Sequence, residues 1–350
     1  MIKTKNMKTL KIVLILLITL TFIQCADNSS SDPGGSTLNP QYAYITDGID
    51  LKIIDVANPA TPTFVNNIAM NTSYFVSVSP DVAYVAQYDA IEPYINVVNT
   101  SNVNSLNSTP VAKNSATNFS ILSDLYTILG TAYVTDLYRG LNSIDTNTFS
   151  GPITTTNTGS DAMSVTKIGN FLYIIDQANG LSKYDISTPS TPTYTSINNN
   201  TDVDTSSYPD TNFGQFHSWL ENDGTYLYVA NIFDKKLKKF DATTLNFISE
   251  VYIDGHATAF AIHNGFAYIT TKAGNAPLQN SFDGIKMVNL SSMTVVADNS
   301  FSLASGVALS GNYCYVTHSD GLHIFDISSG TLNFVSNFLQ GKGNYIALGE

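Results

Sequence analysis

Charge is what this chain has least of. Asp, Glu, Lys and Arg make up 13% of its 350 residues, against 43% apolar residues. Long surface helices usually carry Glu and Lys, so this scarcity argues against a helical surface. Arg139 is the single arginine, too little for bidentate readout of phosphate or guanine. Cysteine is almost missing as well. Cys25 and Cys314 are the two present, and no C-x-x-C occurs, so a disulfide scaffold has no material. G-x-S-x-G, H-E-x-x-H and the S-x-D-x-G-x-T-W box of sialidases are also absent, which removes the commonest sequence signs of hydrolytic sites.

The net charge of −12 is unevenly spread. Lys3, Lys5, Lys8 and Lys11 all precede the first acidic residue, Asp27. Without the first 24 residues, 12 basic stand against 28 acidic residues, a net −16. Such a body is repelled by phosphate backbones, so no nucleic acid partner is expected. What the chain does have is Asn, Ser, Thr, 20 Tyr and 18 Phe. That mixture suits exposed strands and polar turns, and it is too aromatic for a disordered chain.

Residues 1–24 read as a secretory signal peptide, with a lysine-rich start before an apolar run from Leu10 to Ile23. The run is short for a span of about 20 residues. Its end, Phe22-Ile23-Gln24-Cys25, resembles the lipobox of bacterial lipoproteins, although Gln24 stands where a small residue is common. The resemblance implies a lipid-modified Cys25. An uncleaved anchor, or an ordinary signal beside a chance cysteine, are the alternatives. Residues 25–40 are polar, with Gly, Pro and Ser, and read as a flexible tether. Localisation is then expected at the cell envelope, on the outer membrane or cell surface, with the membrane as a partner through the anchor alone. Cys314 is left as a lone thiol, read as a small buried packing residue.

Internal repeats decide the fold class. A strand with a central tyrosine recurs seven times, as in YAYITD, TAYVTD and YCYVTH. The tyrosines are Tyr44, Tyr84, Tyr133, Tyr173, Tyr228, Tyr268 and Tyr315, spaced by 40, 49, 40, 55, 40 and 47 residues. A second strand follows each, as in DLKIIDVA and GLHIFDIS, and carries Asp55, Asn99, Asp145, Asp185, Asp241, Asn289 or Asp326. Further strands flank this pair. Four short strands per roughly 45 residues, seven times over, predict an all-β, seven-bladed β-propeller across residues 41–350. The recurrent Asp and Asn are expected to bond backbone N–H groups in the next turn. The tyrosines are expected to pack between sheets. A residue required in every blade serves the blade, not a site.

The YxYV-like strand, the GLxIxD-like strand and the Pro-containing turns after Asp55 and Asp185 resemble the LVIVD-repeat family of bacterial and archaeal surface proteins. The resemblance implies the propeller and leaves activity unassigned.

The chain's last stretch, GNYIALGE, aligns with the first strand of other units, while QYAYITD opens without one. Residues 344–349 are therefore expected to close the first blade against residues 41–47, removing an open edge.

Four insertions fall between second and third strands or between blades: around 87–94, 101–122, 198–214 and 270–284. In a propeller those connections share one face. Long connections on a rigid scaffold are where binding usually sits. Candidate residues there are His217, Trp219, His256 and His318, with Asp202, Asp204 and Tyr208 of the longest connection. They are either a ligand patch or separate, solvated rim residues. Asn200, Asp202 and Asp204 have calcium-like spacing but lack the glycine and closing glutamate of a calcium loop. Neither metal nor cofactor is expected. The reading is a non-enzymatic, monomeric surface propeller that binds a protein or glycan. The alternative is a hydrolase or lyase with a His/Asp site on the same face.

Overall fold

The tyrosine strands are apolar at nearly every position, so each must be covered on both faces. Residues 131–136, TAYVTD, are buried throughout, whereas residues 294–300, TVVADNS, alternate between half-buried and exposed. This gradient from covered to half-covered strands fixes where each lies in its sheet.

The computed structural model describes residues 41–88, 93–111, 122–128, 130–137, 139–146, 154–156, 158, 162–176, 180–198, 218–231, 234–273, 281–339 and 341–349. Blade one holds β1 (Tyr42–Thr46), β2 (Asp50–Asp55) and β3 (Thr63–Ala69). Blade two holds β4 (Ser73–Ser79), β5 (Val82–Tyr88), β6 (Pro93–Asn99) and β7 (Asn107–Val111). Blade three holds β8 (Leu122–Ile128), β9 (Thr131–Asp136), β10 (Gly140–Asp145) and β11 (Thr154–Thr156). Blade four holds β12 (Ala162–Ile168), β13 (Phe171–Asp176), β14 (Gly180–Asp185) and β15 (Thr193–Asn198). Blade five holds β16 (Ser218–Asn222), β17 (Tyr226–Asn231), β18 (Lys236–Asp241) and β19 (Phe247–Tyr252). Blade six holds β20 (His256–His263), β21 (Phe266–Lys272), β22 (Gly284–Asn289) and β23 (Thr294–Ser300). Blade seven holds β24 (Val307–Ser310), β25 (Tyr313–His318), β26 (Gly321–Asp326) and β27 (Asn333–Phe338), and β28 (Tyr345–Gly349) returns to blade one.

Each blade is a four-stranded antiparallel sheet. The inner strands β4, β8, β12, β16, β20, β24 and β28 touch in succession and close a ring. The protein is thus a seven-bladed β-propeller. The expected closure is present: β28 pairs with β1, with Ile346 opposite Ile45, Ala347 opposite Tyr44 and Leu348 opposite Ala43.

The recurrent residues hold blades together. All seven motif tyrosines are buried. The Tyr133 hydroxyl donates to the Pro189 carbonyl at 3.0 Å, and Tyr173 to that of Ala242 at 3.0 Å. Both acceptors lie in a turn of the next blade, so the tyrosine clamps neighbouring blades. The Asp or Asn does what its position suggests. Asp55, Asn99, Asp185, Asp241, Asn289 and Asp326 each accept from the backbone N–H two residues on, at 2.7–3.0 Å. The turn after Asp145 lies outside the described residues. Cys314 is fully buried in the apolar cluster between blades six and seven.

A third recurrent residue carries as much. Thr135, Thr270 and Thr317, two places after a motif tyrosine, are buried and bond the inner strand of the following blade or the approach to it. Thr46 does the same through the carbonyl of Tyr74.

Candidate functional site

Because strands alternate in direction, inner strands begin on the face where second strands end. The four long connections all leave from that face. Part of each of the four falls outside the described residues, as do Cys25, Asp202, Asp204, Tyr208 and His217.

Within the ring of inner strands lies a cavity of about 80 Å³ to which all seven blades contribute. The lining follows from register. Residues opposite the position two after each motif tyrosine form one tier: Tyr345 opposite Thr46, Asp124 opposite Thr135, Ser164 opposite Ile175, Trp219 opposite Ala230 and Ala259 opposite Thr270. Gly306 completes the tier in blade seven through its bonds to Thr317. In blades two, three, four and six the inner strand carries a β-bulge at this level. A bulge shifts the alternation by one residue and re-aims the side chains beside it. In blade two it brings Phe75 into the lining.

Three rings crowd together in the lining. Phe75 and Tyr345 lie 4.4 Å apart between centroids, Trp219 and Tyr345 5.9 Å, and Phe75 and Trp219 6.2 Å. Beside them is Asp124. Its Oδ1 accepts from the Leu125 N–H at 2.8 Å. Its Oδ2 accepts from the Ser164 hydroxyl at 2.7 Å and the Val165 N–H at 3.1 Å. Burial pushes the Asp124 carboxyl up, and these three hydrogen bonds oppose it. Burial also pushes the Tyr345 phenol up, assisted by the charge of Asp124. Glu221 supplies a second carboxylate to the lining. Among the described residues that line the cavity there is no Lys, Arg or His.

Of the residues singled out by sequence, Trp219 lines this cavity, while His256 and His318 do not. Nor are those two solvated rim groups, as one reading of the sequence expects. Both are buried. His256 begins β20 opposite Lys272. His318 ends β25 at the place that Gln87, Asp136 and Asp176 hold in their blades, three residues after the motif tyrosine, and all four are buried. Met70, Thr158 and Phe301, from the connections leading into their blades, contact Gln87, Asp176 and His318. The His318 Nδ1 accepts from the Asp320 N–H at 3.3 Å. Its ring lies 4.0 Å from that of His323 and 5.7 Å from Phe301. Burial, and secondarily His318, hold the His323 imidazole down to about 4. Among the described residues no three His, Cys, Asp or Glu converge as metal ligands. Asp124, Glu221, Phe75 and Tyr345 were not singled out by sequence. An acidic residue inside an otherwise uncharged inner strand, SDLYTI, was the available signal.

The LVIVD repeat profile matches residues 38–70, 159–199 and 303–337, within blades one, four and seven. No curated protein matches the chain. Among solved structures, a functionally unknown protein from Desulfotomaculum acetoxidans DSM 771 superposes with TM-score 0.63 and 11% identity, over 89% of this chain and 99% of that one. Apo AztD from Citrobacter koseri gives TM-score 0.58 and 11% identity, over 88% and 98%. Dihydro-heme d1 dehydrogenase NirN, in complex with DHE, gives 0.57 and 14%, over 87% and 65%. At such identities the likeness is one of fold. The chain is a seven-bladed β-propeller that carries LVIVD repeats in blades one, four and seven.

Proposed function

We propose that this protein is a binding module of the bacterial cell envelope, held at a membrane by lipid on Cys25, and that it engages a protein or glycan through its long-connection face without turning it over. The observation that carries the reading is the coincidence of two features on one face. The four long connections leave from it, and Phe75, Trp219 and Tyr345 of the central cavity lie within the first three residues of inner strands that begin there. Aromatic side chains with polar neighbours at a concave centre are what recognition surfaces use. The polar groups described are engaged in the fold. Asp124 is held by three hydrogen bonds, and His318 packs on Phe301 with Nδ1 occupied. This favours binding over a His/Asp hydrolase or lyase, which needs converging acid and base within reach of a substrate.

The test compares the full-length tagged protein with a variant in which residues 199–214 are replaced by a short Gly-Ser connection. Each is cross-linked in its own envelope, solubilised and captured. A specific envelope protein or glycan should accompany the parent and be lost with the variant. Retention of the same partner by the variant, or release of cleaved envelope fragments by the purified protein, overturns the reading.

A further inference from the structure

We propose that the central cavity binds an organic ammonium group, seated against Phe75, Trp219 and Tyr345 with Asp124 and Glu221 as its counter-charges. The inference rests on the reading of this face as a binding surface and adds the chemistry of what enters its centre. The mutually packed rings of Phe75, Trp219 and Tyr345 and two carboxylates are part of the lining of one cavity, and the lining residues described include no cation. An aromatic face attracts a cation through its quadrupole, and more strongly where water is excluded. The half-buried Asp124 carboxylate has hydrogen-bond donors but no cationic side chain among the partners described. A cation beside it recovers what burial costs the charged form. The net −16 of the chain after residue 24 adds a long-range attraction that a central cleft focuses.

Size and ligand type narrow the class. A cavity of about 80 Å³ has room for a compact head group such as an ammonium. A hard metal ion seeks six or more oxygen ligands. The rings occupy that space here, and no three metal-ligating side chains converge among the described residues. The ammonium can belong to a small free amine or to a lysine side chain of a protein partner. The chemistry at Phe75, Trp219 and Asp124 is shared.

Trp219 is the only tryptophan, so its emission reports on this cavity alone. The full-length protein, held in a maltoside detergent that carries no ammonium, is titrated with choline, with N-acetyl-lysine amide, and with 3,3-dimethylbutan-1-ol, the neutral isostere of choline. The expected result is a saturable change in Trp219 emission with one of the two cations at a Kd of about 1 mM or tighter. The isostere should bind at least ~10-fold more weakly. The cation that binds better separates a free amine from a lysine-bearing partner. Asp124→Asn should weaken binding by ~10-fold or more. Phe75→Leu, which keeps an apolar side chain, should weaken it by ~3-fold or more and serves alone if Asp124→Asn does not fold. The proposal is overturned if neither cation gives a saturable response up to about 10 mM. It is overturned equally if the isostere or calcium chloride gives the same response as the cation. Undiminished binding by folded Asp124→Asn and Phe75→Leu overturns it too. Partner capture that persists without any ammonium response would sink this inference and leave the binding reading intact.

Discussion

The Tyr345 ring packs 4.4 Å from that of Phe75, so the chain's final strand meets the first strand of blade two in the lining of the central cavity. Ring closure and the candidate site therefore share a residue. Behind Tyr345, Ile346 and Leu348 are buried in the cluster joining blades one and seven. Deleting residues 343–350 removes both, along with the hydrogen bonds from β28 to β1. At about 1.5–3 kcal/mol for each large apolar side chain, the loss is about 3–6 kcal/mol from these two alone. Denaturant unfolding of the truncated protein should show it as a lower midpoint. An unchanged midpoint would mean that the closure contributes nothing.

The glycine that opens third strands is a second point of strain. Gly321 has φ +151°, and a Cβ there would stand 1.9 Å from the Phe338 carbonyl oxygen. Gly284 is alike, with φ +141° and 2.2 Å to the Asn299 oxygen. The outer strand comes this close because nothing projects from the third strand. Gly321→Ala should cost on the order of 3 kcal/mol or more, since backbone strain and a steric clash coincide. Gly330→Ala is the control. It shares a positive φ, +70°, but its Cβ would meet nothing within 4 Å, so about 1 kcal/mol is expected. Equal losses for the two variants would remove the clash from the explanation.

Thr317 tests the stitching between blades. Its Oγ1 accepts from the Gly306 N–H at 2.8 Å and reaches the Asn344 carbonyl at 3.3 Å, within a buried site. Thr317→Val keeps the shape but leaves that N–H without its acceptor. A cost of about 1–3 kcal/mol is expected, with Thr317→Ser recovering part of it. A valine variant as stable as the parent would show that the bond adds nothing to the joint.

The repeat was legible because every blade makes the same demands. Tyr133 and Tyr173 reach the next blade's turn, and Asp185 caps its own. The same residue types therefore recur at about 45-residue spacing. Closure was legible because Ile346, Ala347 and Leu348 repeat the pattern of Val307, Ala308 and Leu309. The cavity was not. Its lining takes two or three residues from each of seven inner strands or their approaches, far apart in sequence, and bulges in four of them shift the phase that alternation would assign. His318 was misplaced for a related reason. It ends a strand beside a turn, which reads as a rim, yet it is buried, with Phe301 of the connection from blade six packed on it.

The anchor rests on the sequence alone. Cys25→Ser should either release the protein to the soluble fraction or leave an unprocessed precursor with residues 1–24 attached, because a thiol is required for the lipid linkage. Fractionation with intact mass measurement checks this. Unchanged mature mass together with membrane retention would sink the assignment.

The histidine pair of blade seven should make stability depend on pH. His323 lies between Phe301, Phe325 and Phe334, with His318 at 4.0 Å and Asp320 nearby. Burial and the neighbouring imidazole hold it neutral in the folded protein down to about 4, and His318 is lowered by burial as well. In the unfolded chain both titrate near 6.5. Between pH 6.5 and about 4 the unfolded state therefore binds more protons than the folded one, and stability falls as pH falls. Above 6.5 the two states bind alike and the effect is absent. Discounted for solvent screening of a partly exposed ring, the His323 contribution is about 1–2 kcal/mol. His323→Phe removes the titrating group and fits the surrounding rings. It should lessen the decline between pH 6.5 and 4 relative to the parent, leaving His318 and the other titrating groups to act. Denaturant midpoints measured across that range for both proteins decide it, and parallel curves would show that the imidazole takes up its proton as readily folded as unfolded.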